Sequence, residues 1–190
     1  NYTGVNKVTS LSSEDIITLI KENEKLKKVN TFEENQKIKQ LENVIEILEN
    51  VKKTCQERKF LSKTKYKFTI PKSNIEIIGD KTELQQVFFN IIENAITHSQ
   101  SKRAVQIKLM QKQRKVMFLV QDFGIGISNQ NIPMLTKRFY RIDSVRPRDT
   151  GHTGLGLSIV KHILNRHNAE LKIHSEIDKG SLFSISFDKL

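Results

Sequence analysis

Asn90, Asn94 and His98 stand four residues apart in the run "KTELQQVFFNIIENAITHS" (81–99). On a helix that spacing puts all three on one face. Leu84, Val87, Phe88, Ile91, Ile92 and Ala95 form an apolar face on the other side. The polar row is either a set of solvated positions or one wall of a site, and Glu93 reaches the same mouth. In "QDFGIGIS", Asp122 closes a strand, and Gly124 and Gly126 let the backbone approach a flat ligand. A carboxylate there accepts a hydrogen bond from an exocyclic amine such as that of adenine. The other reading is a strand-to-loop turn, where Asp and Gly are routine. The "DFG" triplet does not make this a eukaryotic-type protein kinase, because "HRD", "VAIK" and an upstream glycine loop are all missing.

Gly151, Gly154 and Gly156 in "TGHTGLGLSIVKHI" (150–163) pose a similar choice. A dinucleotide fingerprint needs a strand directly before the glycines, and here a long polar loop precedes them. A Walker loop needs Gly-Lys-Ser/Thr, and Lys161 comes too late. What remains is a glycine-rich lid running into a helix N-terminus, where free N–H groups and the helix dipole favour phosphate. Thr150 and Thr153 add hydroxyl donors. Ile159, Val160, Ile163 and Leu164 bury the helix that follows.

The surrounding elements must hold these groups. Residues 1–34 read as a separate helical segment, with Ser12 or Ser13 as N-cap and a loose stripe of Ile16, Leu19, Ile20 and Leu26. "TFEE" (31–34) reads as a capping box, and Ile38, Leu41, Ile45, Leu48, Val51 and Cys55 then predict an amphipathic helix to about residue 59. From residue 64 the period changes. "KYKFTI" and "NIEII" are strand-like, the helix 81–99 follows, and "RAVQIKLM" and "KVMFLVQD" alternate as a hairpin. Residues 124–153 are a long loop with a short helix near 131–138. The helix 154–168 and the strands "AELKIHS" and "SLFSISF" close the chain. Hairpin pairs alternating with helices predict an α+β fold, a two-layer sandwich whose mixed sheet is covered by helices on one face.

Composition narrows the classes. The chain has 190 residues, 37% hydrophobic and 28% charged, enough for one well-cored domain and an accessory segment. No apolar run approaches the length of a membrane helix, and the N-terminus lacks the features of a secretory signal. Asn1 in place of Met predicts a piece of a longer chain whose remainder holds a membrane segment. Cys55, the single cysteine, falls in an apolar stripe and reads as a buried structural thiol in a reducing compartment. The net charge of +11 is spread along the whole chain without aromatic interleaving, so an acidic protein partner or compositional bias is expected and nucleic acid is not.

"FFNIIENAITHS", "DFGIGIS", "KRFYRID", "TGLGLSIVKHI" and "KGSLFSISF" stand in the order of the N, G1, F, G2 and G3 boxes. In this the chain, over about residues 60–188, resembles the ATP-binding domain of sensor histidine kinases, within the Bergerat-type ATPases. The wording of residues 138–167 is most similar to the phosphate-regulon branch. The resemblance implies a Bergerat-type fold, with residues 35–190 as the catalytic domain and ATP and Mg2+ as cofactors. It implies that Asn94 holds Mg2+ between the phosphates with Asn90 supporting it, that Glu93 polarises the attacking imidazole, and that His98 faces the phosphates. Asp122 would bind the adenine amine, with Gly124 and Gly126 giving the base room and Ser181, after Gly180, assisting. Arg141 or Arg146 in the lid would meet phosphate charge. Gly154 and Gly156, with the N–H groups near Leu155 and Leu157, would cap the triphosphate. Phosphoryl transfer depends on position and charge compensation, which such an apparatus supplies.

Two departures stand out. Phe123 occupies a place where the family usually has Asn or Thr. The phosphoacceptor box is absent, since none of His98, His152, His162, His167 and His174 begins one. The acceptor is therefore expected on an upstream dimerisation domain, of which residues 1–34 resemble the end. A response regulator receiver domain is expected as the next partner. The whole protein is expected to be homodimeric and membrane-anchored, with this part in the cytoplasm. Two other readings share these residues: an ATP-gated interaction module without transfer activity, and a serine kinase of the anti-sigma type.

Overall fold

A computed structural model describes Ile17 and residues 21–24, 40–57, 65–99, 103–142 and 153–189. The chain divides into two units, Asn1–Lys39 and Gln40–Leu190. In the first, Ile17 and residues 21–24 are helical. The expected N-cap at Ser12 or Ser13 and the "TFEE" capping box lie outside the described residues.

The second unit begins with a correction. The helix expected from residue 35 starts only at Val44, because Gln40–Asn43 is a strand, β1. Asn43 caps the helix α1 (Val44–Glu57): its Oδ1 accepts the N–H of Ile45 at 3.0 Å and lies 3.4 Å from that of Glu46. From there Leu48, Val51 and Cys55 are buried as expected, Ile45 is half-buried, and Val44 and Ile47 join the stripe. Val44, Ile47, Leu48, Val51 and Cys55 are fully buried, whereas Leu41 lies on β1 and is exposed.

A second correction concerns the next two strands, β2 (Tyr66–Thr69) and β3 (Glu76–Gly79). They form no hairpin. β3 pairs antiparallel with β1, and β2 pairs in parallel with β4 (Val105–Lys112). The reason is tertiary: Val44 N–H bonds the Ile75 carbonyl at 2.9 Å, and Ile75 and Ile77 enter the core. The remaining strands are β5 (Lys115–Gln121), β6 (Glu170–Glu176) and β7 (Gly180–Asp188). Two helices complete the unit, α2 (Lys81–His98) and α3 (Gly156–Arg166), with a short 3-10 turn at Ile132–Met134.

The five-stranded sheet runs β2-β4-β5-β7-β6, antiparallel apart from the β2–β4 pair. Its strands alternate buried and exposed side chains, so one face lies under the helices. Phe88 of α2 anchors that interface, its ring centroid 4.6 Å from that of Phe118 on β5. This is the mixed α+β sandwich that the sequence pattern predicts.

The start of α2 is pinned to the end of α3. Asp80 caps α2 by accepting the Glu83 N–H at 2.8 Å. Its own N–H donates to Nε2 of the buried His167 at 3.0 Å. The other ring nitrogen of His167, Nδ1, lies 2.8 Å from the Ile163 carbonyl, which it must serve as donor. This pair of bonds selects the neutral Nδ1–H tautomer. Arg166 adds an ion pair to Glu83 at 2.6 Å.

Candidate functional site

Helix α2 forms the spine of the site. Asn90, Glu93 and Asn94 are half-buried along one side, and His98 is exposed in the last turn. The N-terminus of α3 comes against the first part of this row. Asn90 Nδ2 lies 3.5 Å from the Gly156 carbonyl, and a Cβ on Gly156 would stand 4.0 Å from Asn94 Nδ2. Leu155 holds the N-cap position and makes no side-chain cap bond, so the first N–H groups of α3, around Gly156 and Leu157, are not capped by Leu155. The approach to α3 is fixed by Gly154, at φ +72°, whose carbonyl accepts the Phe139 N–H at 3.1 Å. Phe139 itself has φ +62° and is 71% exposed.

The far end of α2 meets the loop after β5. A Cβ on Gly124 would overlap the carbonyl oxygen of His98, so only glycine permits this contact. The main chain of His98 therefore abuts the Asp122 loop, one turn beyond Asn94. Asp122 is 4% exposed. Burial pushes its carboxyl above the ordinary value, and the N–H groups of Gly124 and Ser181 pull it part of the way back. Both of those backbone bonds fall on Oδ1, at 2.9 and 3.3 Å. The Ser181 hydroxyl is a further donor to the same carboxylate, and neither backbone bond occupies Oδ2.

Ser181 is held in turn. Its N–H reaches Asp122, its carbonyl accepts the Asp122 N–H at 2.9 Å, and its Oγ lies 2.9 Å from Ser175 Oγ. Ser175 also accepts the Ile127 N–H and donates to the Gly180 carbonyl. The sequence pattern missed Ser175. Its signal is the direct pairing of Ser175 with Ser181 across β6 and β7, visible only once the register is known.

Other candidates are placed differently. Gly126, at φ +71°, packs its Cα against the Glu176 carbonyl and the turn between β6 and β7. Its glycine requirement comes from that turn. Arg141 and Thr153 are exposed on either side of the lid, and Arg146, Thr150 and Gly151 lie outside the described residues. Asn90, Asn94, Gly156 and the flanking Leu155 and Leu157 gather beside the second half of the spine. Asp122, Gly124 and Ser181 gather at its C-terminal end.

Residues 79–190 match the family model of histidine kinase-, DNA gyrase B- and HSP90-like ATPases. Over 113 residues the chain is 42% identical to the phosphate regulon sensor protein PhoR of Pseudomonas aeruginosa, covering 60% of this chain and 26% of that protein. It is 45% identical to PhoR of Haemophilus influenzae over 116 residues (61% and 27%). To the histidine-protein kinase ArlS of Staphylococcus aureus it is 36% identical over 114 residues (60% and 25%). The matched stretch thus spans about a quarter of these relatives. Among solved structures, the mycobacterial sensor histidine kinase MprB superposes with a TM-score of 0.69 at 23% identity, covering 78% of this chain and 97% of that one. The catalytic domain of histidine kinase ThkA gives 0.67 at 22% identity, covering 80% and 95%. The chain belongs to the family of histidine kinase-, DNA gyrase B- and HSP90-like ATPases and carries an ATPase domain of the sensor-kinase type.

Proposed function

We propose that this domain binds Mg-ATP along α2, with the purine at Asp122 and the phosphates at the N-terminus of α3, and passes the γ-phosphoryl to a histidine on an upstream domain. One observation carries the reading. The amide row lies along the second half of α2, against the N-terminus of α3, and the Asp122 loop packs on the last turn of the same helix. From Asn90 and Asn94 to His98 that helix rises about 6–12 Å, comparable to the span from a purine to its terminal phosphates.

The donor set fits the cofactors. Asp122 Oδ2 accepts the exocyclic amine of the base. The N–H groups of Gly156 and Leu157 and the positive end of α3 suit phosphate oxygens. Amide oxygens of Asn94 and Asn90 are neutral hard donors of the kind Mg2+ takes alongside phosphate. The ion, when bound, supplies charge compensation between the phosphates. Thr153 and Arg141, at the edges of the lid, and Arg146 within it would offer hydroxyl and guanidinium donors to the triphosphate.

In the transfer, the bond from the terminal phosphorus to its bridging oxygen breaks, a phosphorus–nitrogen bond forms to the imidazole, and ADP leaves. Glu93 polarises the imidazole N–H and takes its proton. His98, exposed one turn beyond Asn94 on the same helix, is the side chain that the resemblance turns toward the phosphates. The acceptor histidine lies on a dimerisation domain, of which residues 1–34 are the exit, and a response regulator aspartate receives the phosphoryl next. In the whole protein, a homodimer anchored in the membrane, residues 35–190 form the cytoplasmic catalytic domain.

The test mixes this chain with radiolabelled Mg-ATP and a separate acceptor hairpin from a related kinase. Acid-labile label on the hairpin is the expected result. Acid-stable label on serine would instead identify an anti-sigma-type kinase, and saturable ATP binding with no label on any of several hairpins would identify a gated module.

A further inference from the structure

Phe123 departs from the family pattern at the centre of the Asp122–Gly124 segment. The main chain on either side of it is already wedged. A Cβ on Gly180 would overlap the Asp122 carbonyl oxygen and stand 2.7 Å from the Phe123 Cα, and Gly124 is packed on the His98 carbonyl. The Phe123 side chain has a hold of its own. Arg103, two residues before β4, places its guanidinium carbon 3.6 Å from the centroid of the Phe123 ring. At that separation the planar cation stacks on the ring face.

The substitution of type explains the contact. An Asn or Thr at this place can bond neighbouring backbone groups through its side chain. A phenyl ring cannot, so the loop would lose a local restraint at the residue next to the carboxylate that recognises the base. A hydrogen bond weakens steeply as its angle departs from linearity, so small rotations of this segment change what Asp122 offers a ligand.

We propose that Arg103 is a positioning residue for purine recognition: stacked on Phe123, it fixes the Asp122–Gly124 loop so that the carboxylate meets the base at one angle. The proposal rests on the assignment of Asp122 to the purine. Arg103 is assigned no contact with the nucleotide and acts on the loop through Phe123.

The test is calorimetric binding of ATP, ADP and adenosine to the full chain. The variants are Arg103→Ala, Arg103→Lys, Phe123→Leu, the double variant Arg103→Ala/Phe123→Leu, and Arg103→Ala combined with Asp122→Asn. Arg103→Ala is expected to weaken all three ligands by the same factor, about threefold, the size an exposed cation–π contact supports. Phe123→Leu should match it, and the double variant should be no worse than either single one. Arg103→Lys should recover part of the loss, since an ammonium also sits over a ring. In the Asp122→Asn background Arg103→Ala should have no further effect. A loss larger for ATP than for adenosine would show a phosphate-charge role and overturn the proposal. Additive losses, unchanged affinity in Arg103→Ala, or a loss that persists without the Asp122 carboxylate would do the same. Unchanged affinity in Asp122→Asn alone would remove the purine assignment itself. Weakened binding there, with none at Arg103, would refute the stack and leave that assignment standing.

Discussion

Asp122 combines two properties that pull in opposite directions. Its carboxylate is needed ionised to accept the amine of a purine, yet burial raises its pKa above the ordinary 3.8. Between those two values the native state binds the proton that the unfolded state has already released, so stability falls as pH rises through that window. Nucleotide affinity should move the other way. It should drop as pH falls through the raised value, in a range where an ordinary carboxylate would still be ionised, and a pH series of ATP binding checks this. Asp122→Asn separates the two effects. The amide oxygen can keep both backbone bonds of Oδ1, which puts an NH2 group where Oδ2 stood, donor against donor. We expect ATP binding to weaken by roughly tenfold or more, as for a lost charge-assisted hydrogen bond. The melting temperature should stay level or rise, because a buried charge has gone. Asn94→Ala tests the other end. It should weaken Mg-ATP on the order of tenfold, and ATP measured in chelator much less, since an oxygen donor to the ion is what it removes.

At the scale of elements, the joint between α2 and α3 decides whether the two ends of the site face one another. His167 holds it from outside the site by accepting the Asp80 N–H and donating to the Ile163 carbonyl. His167→Phe would leave the half-buried Asp80 N–H without its partner, at about 1–3 kcal/mol in urea unfolding, while the Ile163 carbonyl keeps the bond from the backbone N–H of residue 167. Affinity for ATP should fall as well, since α3 carries the phosphate-binding N–H groups. Phe88→Ala, at the interface of α2 with the sheet, should destabilise by about 3–5 kcal/mol in the same measurement. The apolar stripes of α1, α2 and α3 were legible because burial on one face imposes a period near 3.6. The start of α1 was not, because Leu41 satisfies that period by coincidence while β1 pairs with β3.

For the whole molecule, the division at Gln40 carries its own prediction. A fragment of residues 40–190 should unfold in one cooperative step and bind ATP with the affinity of the full chain, because Asn90, Asn94, Asp122 and α3 all lie within it. Calorimetry on the two proteins checks this, and at about a hundredfold excess over Kd the nucleotide should add about 2.7 kcal/mol to the stability of either. A loss of affinity in the fragment would show that the first 39 residues contribute to the site.

Local order in the chain was enough to determine the element types other than β1, the polar row of α2, the strand-end carboxylate and the glycine-rich entry to α3. Each is a matter of spacing or of backbone freedom within about a dozen residues. Pairings between distant segments belong to the tertiary structure alone. The parallel β2–β4 pair, Ser175 beside Ser181, Gly126 against Glu176 and Arg103 on Phe123 all depend on which surfaces are buried together. The free energy of that burial is shared by the whole core and is written in no single stretch of sequence.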